Sequence, residues 1–463
     1  MNDSEVAAPE TRLDEDDRLK PAFVREVQER VEAGDAEGAR ALVISLHPAD
    51  IADLFELIPA DDRASLAAAI SDVLDADVFA EMNDYVREGL LDALEPHQVA
   101  DIAGELETDD AVAIIEDLEE HEQRAVLSAL DPDDRAAIEQ ALTFPEESAG
   151  RLMQRDLIAV PEHWSVGHVI DYLRSGEDLT TDFWEVFVVD ASHKPVGTCM
   201  LSWIMRTPRG VAVADVMQRE QTLIPVDMDQ EEVALRFQKY ALISAAVVDA
   251  SGRLVGMITV DDVVHIIQEE ASEDILRLSG VGESDINEPV FNSYKARVRW
   301  LIANLGTALV ASTIISLFEG AIAQMVALAV LMPIVAGVGG NAGTQTLAVT
   351  VRSLATNQLT RSNTVRTILR ETRVALMNGA TIAVLIGIGV SIGFGSATLG
   401  GVIAAAMMTN IFIAGLAGVL IPVVIERAGG DPAVASSVFV TMVTDSMGFL
   451  AFLGLAVATG LVG

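Results

Sequence analysis

Apolar positions along this chain follow two rules. Before about residue 295 they come in short periodic stretches broken by acidic and proline-rich steps; from Trp300 onward they run almost without a break. From Phe23 to about Leu142 their spacing is helical. Segments open on His47-Pro48-Ala49-Asp50, Pro59-Ala60-Asp61-Asp62, Glu95-Pro96-His97 and Asp131-Pro132-Asp133-Asp134. Proline just inside a helix after a polar cap is a start signal, because its missing N–H would be unpaired there anyway. The phrase returns at roughly 35-residue steps, which predicts an all-α superhelical N-domain of helix pairs over residues 21–148. Residues 1–20, charged and poor in large apolar side chains, are expected to form a disordered acidic tail.

Residues 149–275 carry an internal duplication. Leu152-Met153-Gln154-Arg155 returns as Val216-Met217-Gln218-Arg219, and Val188-Val189-Asp190-Ala191-Ser192 as Val247-Val248-Asp249-Ala250-Ser251. Pro195-Val196-Gly197 likewise matches Leu254-Val255-Gly256. The first offset is 64 residues and the others 59, so one copy holds five extra residues. Each copy reads strand, helix, strand, turn, strand, helix. The pair, and Gly252 to Asp262 above all, resembles a tandem of cystathionine-β-synthase (CBS) domains, an α/β regulatory module that binds nucleotides or ions.

A mainly helical connector is expected over residues 276–298, interrupted near Gly280 and Gly282, and a membrane domain over 299–463. About 20 apolar residues at 1.5 Å each cross a hydrocarbon core of roughly 30 Å. Five spans fit near 300–318, 321–351, 366–392, 399–425 and 434–460. The second is expected to be broken at Pro333 and at Gly337 to Gly343. Arginines place the loops: Lys295, Arg297 and Arg299 precede the first span, and Arg352, Arg361, Arg366, Arg370 and Arg373 lie around the second loop. The turn from Phe394 to Thr398 is uncharged. The soluble half is therefore expected in the cytoplasm and the C-terminus outside.

Charge divides the same way. Residues 1–291 hold 65 acidic and 21 basic side chains, whereas 292–463 hold five acidic and nine basic ones. So negative a field repels nucleic acid and collects cations. Solubility in a salty cytoplasm explains the bulk charge equally well, and only four residues are lysine. Cys199 is the single cysteine and all seven histidines precede residue 270. An ion site in the apolar half must therefore use oxygen, which suits Mg²⁺ or Ca²⁺. The acidic N-terminus is no signal peptide.

Asp445 is the sharpest candidate. It sits in the middle of the last span, where an ionised carboxylate costs at least a few kcal/mol unless it faces protein, water or an ion. Ser437, Thr441 and Asp445 are spaced by four and share one helix face. A structural carboxylate bonded to Thr441 and Thr444 is the alternative. Asn341, Thr344 and Gln345 add neutral oxygens beside a glycine-rich stretch, though small residues in a span more often mean tight helix packing. Neutral oxygens with one carboxylate layer can hold a hydrated Mg²⁺ through its water shell.

Pro333 to Gln345, Asp431-Pro432-Ala433 and Thr444-Asp445 resemble the MgtE family of magnesium channels, as does the order of helical N-domain, CBS pair, connector and five spans. The resemblance implies a homodimer in the plasma membrane with a pore between subunits, Asp445 as its carboxylate, a backbone carbonyl at Thr441, and Ser437 where a relative has Asn. It also implies closure when Mg²⁺ fills acidic sites matching Asp229, Glu231, Asp262, Glu270, Glu273 and Asp274. Ala241 and His265 stand where an Asp is expected, so cytoplasmic sensing is expected at a higher threshold. A solvated helix face is the alternative for this acidic group.

The expected function is a Mg²⁺-gated Mg²⁺ channel or transporter. A broader carrier of Mn²⁺, Co²⁺ and Ca²⁺ is the first alternative. A membrane-anchored CBS sensor that transports nothing is the second, and Asp445 argues against it. No phosphate loop, nucleophile elbow or zinc-helix motif points to an enzyme. The expected partners are a second copy, membrane lipid, Mg²⁺ and, at the CBS pair, an adenine nucleotide; nucleic acid is not among them.

Overall fold

A computed structural model describes residues 12–175, 183–281, 287–434 and 436–462. The chain divides into two compact units, Met1–Gln268 and Glu269–Gly463.

The first unit opens with ten helices between Pro21 and Ala141 among the described residues. All four proline phrases start helices, at Pro48, Ala60, Pro96 and Pro132. At Glu95 a full capping box forms, its side chain meeting the backbone three residues on while Gln98 reaches back. The apolar faces meet in a core around Leu54, Phe55, Leu66, Ile70, Ile114 and Ile115. One expectation is corrected. Residues 1–11 lie outside the described residues, but the chain is ordered from Arg12, where Leu13 bridges Leu19. Leu19 is buried in the helical core. Two leucines in the charged stretch are enough to anchor it.

The duplicated region forms two three-stranded sheets. In the first, β1 (Ala159–Pro161) runs parallel to β2 (Glu185–Val189), which pairs antiparallel with β3 (Pro195–Met200). In the second, β4 (Leu223–Pro225), β5 (Ser244–Val248) and β6 (Leu254–Thr259) repeat the pattern, with the bulge at the matching place. The offset changes from 64 to 59 between the helix Val166–Ser175 and β2, so the extra residues fall there. Each hairpin turn is tied by an aspartate: Asp190 accepts from the N–H groups of Ser192 and Lys194, and Asp249 from those of Ser251 and Arg253.

The repeats also exchange their leading segments. Gln154 bridges to Met257 of β6, and Gln218 to Thr198 of β3. The glycines shared by the two copies make this possible. A Cβ on Gly197 would lie 2.7 Å from the Gln218 carbonyl, and one on Gly256 2.8 Å from that of Gln154. Only glycine admits a crossing backbone so close.

In the second unit five helices are long and apolar enough to cross a membrane: Val290–Ser316, Ala327–Ala355, Thr364–Gly393, Ala397–Arg427 and Ser436–Ala458. They are called the first to fifth spans below. The shortest has 23 residues, about 35 Å of helix. One detail agrees with the sequence reading and two differ. The helix ending at Leu278 stops at Gly280, which takes the left-handed φ of +70°, and Gly282 lies outside the described residues. The first span then starts at Val290 and runs unbroken through residue 298, so the connector ends inside it. A short helix, Glu319–Gln324, separates the first span from the second, which begins at Ala327 rather than 321.

The second span is also continuous through Pro333 and the glycines, not broken. Pro333, in the second turn, leaves the Ala329 carbonyl without its intrahelical donor but does not end the helix, and the glycines serve packing. Asn410 of the fourth span is fully buried and donates from Nδ2 to the Val335 carbonyl at 2.9 Å. It fills the space where a Cβ on Gly339 would sit, and a Cβ on Gly448 of the fifth span would lie 2.6 Å from its Nδ2. One amide thus joins three spans. Gly343 packs likewise against Val440 and Thr444.

Gly339→Ala should destabilise the protein by about 1–3 kcal/mol through overpacking. In Gly339→Ala/Asn410→Ala the methyl gains the space the amide leaves. Thermal unfolding in detergent should then give a smaller loss for the double variant than the sum of the two single losses. Additive losses would show that the amide and the glycine do not share that space.

Candidate functional site

Three groups of chemistry-bearing residues emerge. The first lies on the fifth span. Ser437, Thr441 and Asp445 fall on one partly exposed helix face. The hydroxyl of Thr444 donates to the Thr441 carbonyl at 3.1 Å and is thereby spent on backbone. Asp445 makes no hydrogen bond or ion pair with any described residue. The structural-carboxylate alternative therefore has no donor here, and the oxygens remain available to water or a cation. Asn341 and Gln345 sit exposed on the second span, whose Gly343 packs on the fifth. The Gln345 side chain lines a cleft toward the third and fourth spans instead of the packed Val440–Thr444 face.

The second group lies within the first unit. Asp262, in the first turn of the helix Val260–Leu278, accepts from the Thr259 hydroxyl at 2.7 Å and from Gln154 Nε2 at 3.3 Å. The same Gln154 amide also bonds Glu107 of the helical domain. Asp109 lies beside them. Its Oδ1 and the Gln154 Oε1 are buried without a hydrogen-bond partner among the described residues. Burial first, and the neighbouring Asp261 and Asp110, raise Asp262 to about 6. Burial with Asp262, Asp110 and Glu107 holds Asp109 well above the usual carboxylate range. Orphaned oxygens and raised carboxylates mark a place short of positive charge. Burial first, and then Glu81, raise Asp110 as well, against the opposing influence of Arg87 and His265.

The third group belongs to the second unit. Arg277 ties Glu273 on its own helix to Asp431 in the loop between the fourth and fifth spans, the latter at 2.7 Å. Burial, then Asp431 and Glu270, raise Asp274 to about 6. Leu278 packs beside Leu347, Val351, Ala433 and Val440, so this helix end rests on the second and fifth spans.

Asp229 and Glu231 are not drawn into these groups. Asp229 caps the helix Gln230–Tyr240 by accepting from the Glu231 N–H at 3.0 Å. Ala241 ends that helix in the left-handed conformation, φ 50°. Among the described residues no three His, Cys, Asp or Glu side chains converge tightly enough to hold a metal ion by themselves. Glu107, Asp109 and Asp431 are participants that sequence reasoning missed. Asp431 is one of only five acidic residues after 291, and that rarity was the available signal.

A family model described as "Divalent cation transporter" matches residues 332–455, one described as "MgtE intracellular N domain" matches 46–147, and a CBS domain model matches 213–269. The magnesium transporter MgtE of Bacillus subtilis (strain 168) is 33% identical over 318 residues, covering 68% of this chain and 70% of that protein. The magnesium transporter MgtE of Thermus thermophilus is 33% identical over 324 residues, covering 69% and 71%. Among solved structures, the cytosolic domain of the Mg²⁺ channel MgtE in complex with ATP matches at 28% identity and TM-score 0.47, covering 52% of this chain and 99% of that one. With the relatives matched over both soluble and membrane parts, and five apolar spans behind the CBS pair, this chain is a multi-pass membrane protein belonging to the MgtE family of magnesium transporters.

Proposed function

We propose that the protein is a Mg²⁺-selective channel whose opening is controlled by Mg²⁺ on the cytoplasmic side. The observation that carries this reading is Asp445: a carboxylate in the middle of a span, with no hydrogen-bond or ion-pair partner among the described residues, on a face with Ser437 and Thr441. An anchor for a soluble sensor has no use for such a group. In a homodimer, two such faces would offer oxygens to an ion that keeps its waters. The loop arginines support a cytoplasmic soluble half and an external C-terminus. The Glu107–Asp109–Gln154–Asp262 group supports sensing, because a cation there would satisfy the buried Asp109 and Gln154 oxygens. Glu270, Glu273 and Asp274 act with Asp431, where the helix Val260–Leu278 meets the loop before the fifth span. Ions shift a gate only through differential affinity for its two states, and carboxylates gathered in one state supply that difference. An adenine nucleotide is the candidate ligand of the CBS pair. Mn²⁺, Co²⁺ and Ca²⁺ in competition against Mg²⁺ would separate this reading from a broader divalent carrier.

Asp445→Asn keeps size and hydrogen bonding but removes the charge. Dye-reported Mg²⁺ uptake into liposomes should fall by more than roughly tenfold, the equivalent of about 1.4 kcal/mol of lost attraction. Normal flux through correctly inserted Asp445→Asn protein would refute the pore assignment.

The sensing reading has a pH signature. Asp262 and Asp274 move from 3.8 to about 6 on folding, so the folded state binds more protons in that window. Ionising them destabilises the fold, and stability without Mg²⁺ should fall as pH rises from about 4 to about 6 and then level off. Mg²⁺ requires the ionised form, so it should bind more tightly across the same window and flatten the slope. Thermal midpoints of the full chain, with and without Mg²⁺, test this. An identical pH slope in both, unaltered by Asp262→Asn, would make the acidic groups a solvated surface.

A further inference from the structure

Glu371 has no role in the reading above, yet it is buried inside the third span, only 6% exposed. A charge at such a place is a functional group by default. Its ion-pair partner is Arg370, Nη1 to Oε1 at 2.5 Å, whose own side chain is 68% exposed. Successive helix residues point about 100° apart, so the guanidinium reaches back over Glu371 from outside. The carboxylate is buried, and its counter-charge comes from an exposed side chain.

Both residues line a cleft of about 200 Å³ between the second, third and fourth spans. Gln345 and Asn378 add amides to its wall and Thr346 a hydroxyl. Thr346 donates to the Ala342 carbonyl at 3.2 Å, which leaves its oxygen free to accept. Every ligand atom on offer is oxygen, with one carboxylate among them, and neither thiol nor imidazole is present. That donor set selects a hard cation. At about 30 Å³ per water, the cleft has room for roughly six waters, the shell of a hydrated Mg²⁺. Glu371 lies seven residues into a helix that begins at Thr364, about 10 Å from its start, on the side of the arginine-rich loop.

We infer that this cleft is a second cation subsite, in which a hydrated divalent ion displaces the Arg370 guanidinium from Glu371 beside Gln345. The inference rests on the transport reading for its purpose, since it places an ion next to a candidate pore ligand at the cytoplasmic end. It can be tested apart from transport. Asn378 is exposed in the cleft and Cys199 is buried, so Asn378→Cys in a Cys199→Ser background is a clean reporter. N-ethylmaleimide is neutral and so is not repelled by the ion, and because a nearby cation favours the reactive thiolate, slower labelling reports occlusion.

Millimolar Mg²⁺ should slow labelling of the reporter severalfold, Na⁺ at equal ionic strength should not, and Glu371→Gln should abolish the protection. Val374→Cys, on the same wall, replaces the reporter if Asn378→Cys misfolds. Asp445→Asn should leave the protection intact even where flux is lost, so failure of the pore reading and failure of the subsite give different results. In the otherwise unmodified chain, Glu371→Gln should raise the half-saturating Mg²⁺ for uptake roughly tenfold. Absent protection, or protection that survives Glu371→Gln, would overturn the subsite.

Discussion

The membrane part is organised by one buried amide. In lipid an apolar side chain gains little by leaving its surroundings for another helix, so helix association relies on close packing and on polar contacts. Asn410 supplies both. Its hydrogen bond to the Val335 carbonyl joins the fourth span to the second, and the space it occupies explains glycine at 339 and at 448. Asp445 lies one turn before Gly448, and Asn341 two residues after Gly339. The candidate ion ligands Asp445 and Asn341 thus lie within one turn of glycines that Asn410 packs against.

Acidic residues mean different things in the two units. With 65 of them in residues 1–291, most are solvated and individually uninformative. The informative ones are recognised by what surrounds them, such as Asp109 and Asp262, where burial opposes ionisation. In the apolar half each acid stands out. Asp431 pairs with Arg277, Glu371 with Arg370, and Asp445 with no described side chain. The contrast separates carboxylates with a built-in counter-charge from one with none among the described residues.

Much of this was legible in the sequence, for identifiable reasons. Proline at Pro48, Pro96 and Pro132 marks helix starts because the chemistry of the first turn is local. The duplication was legible because Gly197 and Gly256 repeat along with their neighbours. Asp445 was legible because charge in a span is rare. Asn410 was not, since a neutral amide in an apolar run interrupts no pattern and its partners are 75 and 38 residues away along the chain. Glu107 was hidden by the abundance of acids around it. The end of the connector was missed because the helix from Val290 to Ser316 changes from polar to apolar without breaking. The ordered stretch at Leu13 and Leu19 was missed because composition averages out two anchoring side chains.

The exchanged segments of the CBS pair have a further consequence. Gln154 belongs by sequence to the first repeat and by hydrogen bonding to the second sheet, while Gln218 does the reverse. Severing the chain between the repeats would leave each half without an edge partner that the other half carries. The duplication is thus interlocked: the two copies can diverge side chain by side chain, as His193 and Gly252 have at the same left-handed turn position, while each leans on a segment carried by the other. A strain imposed on one copy must be borne by both.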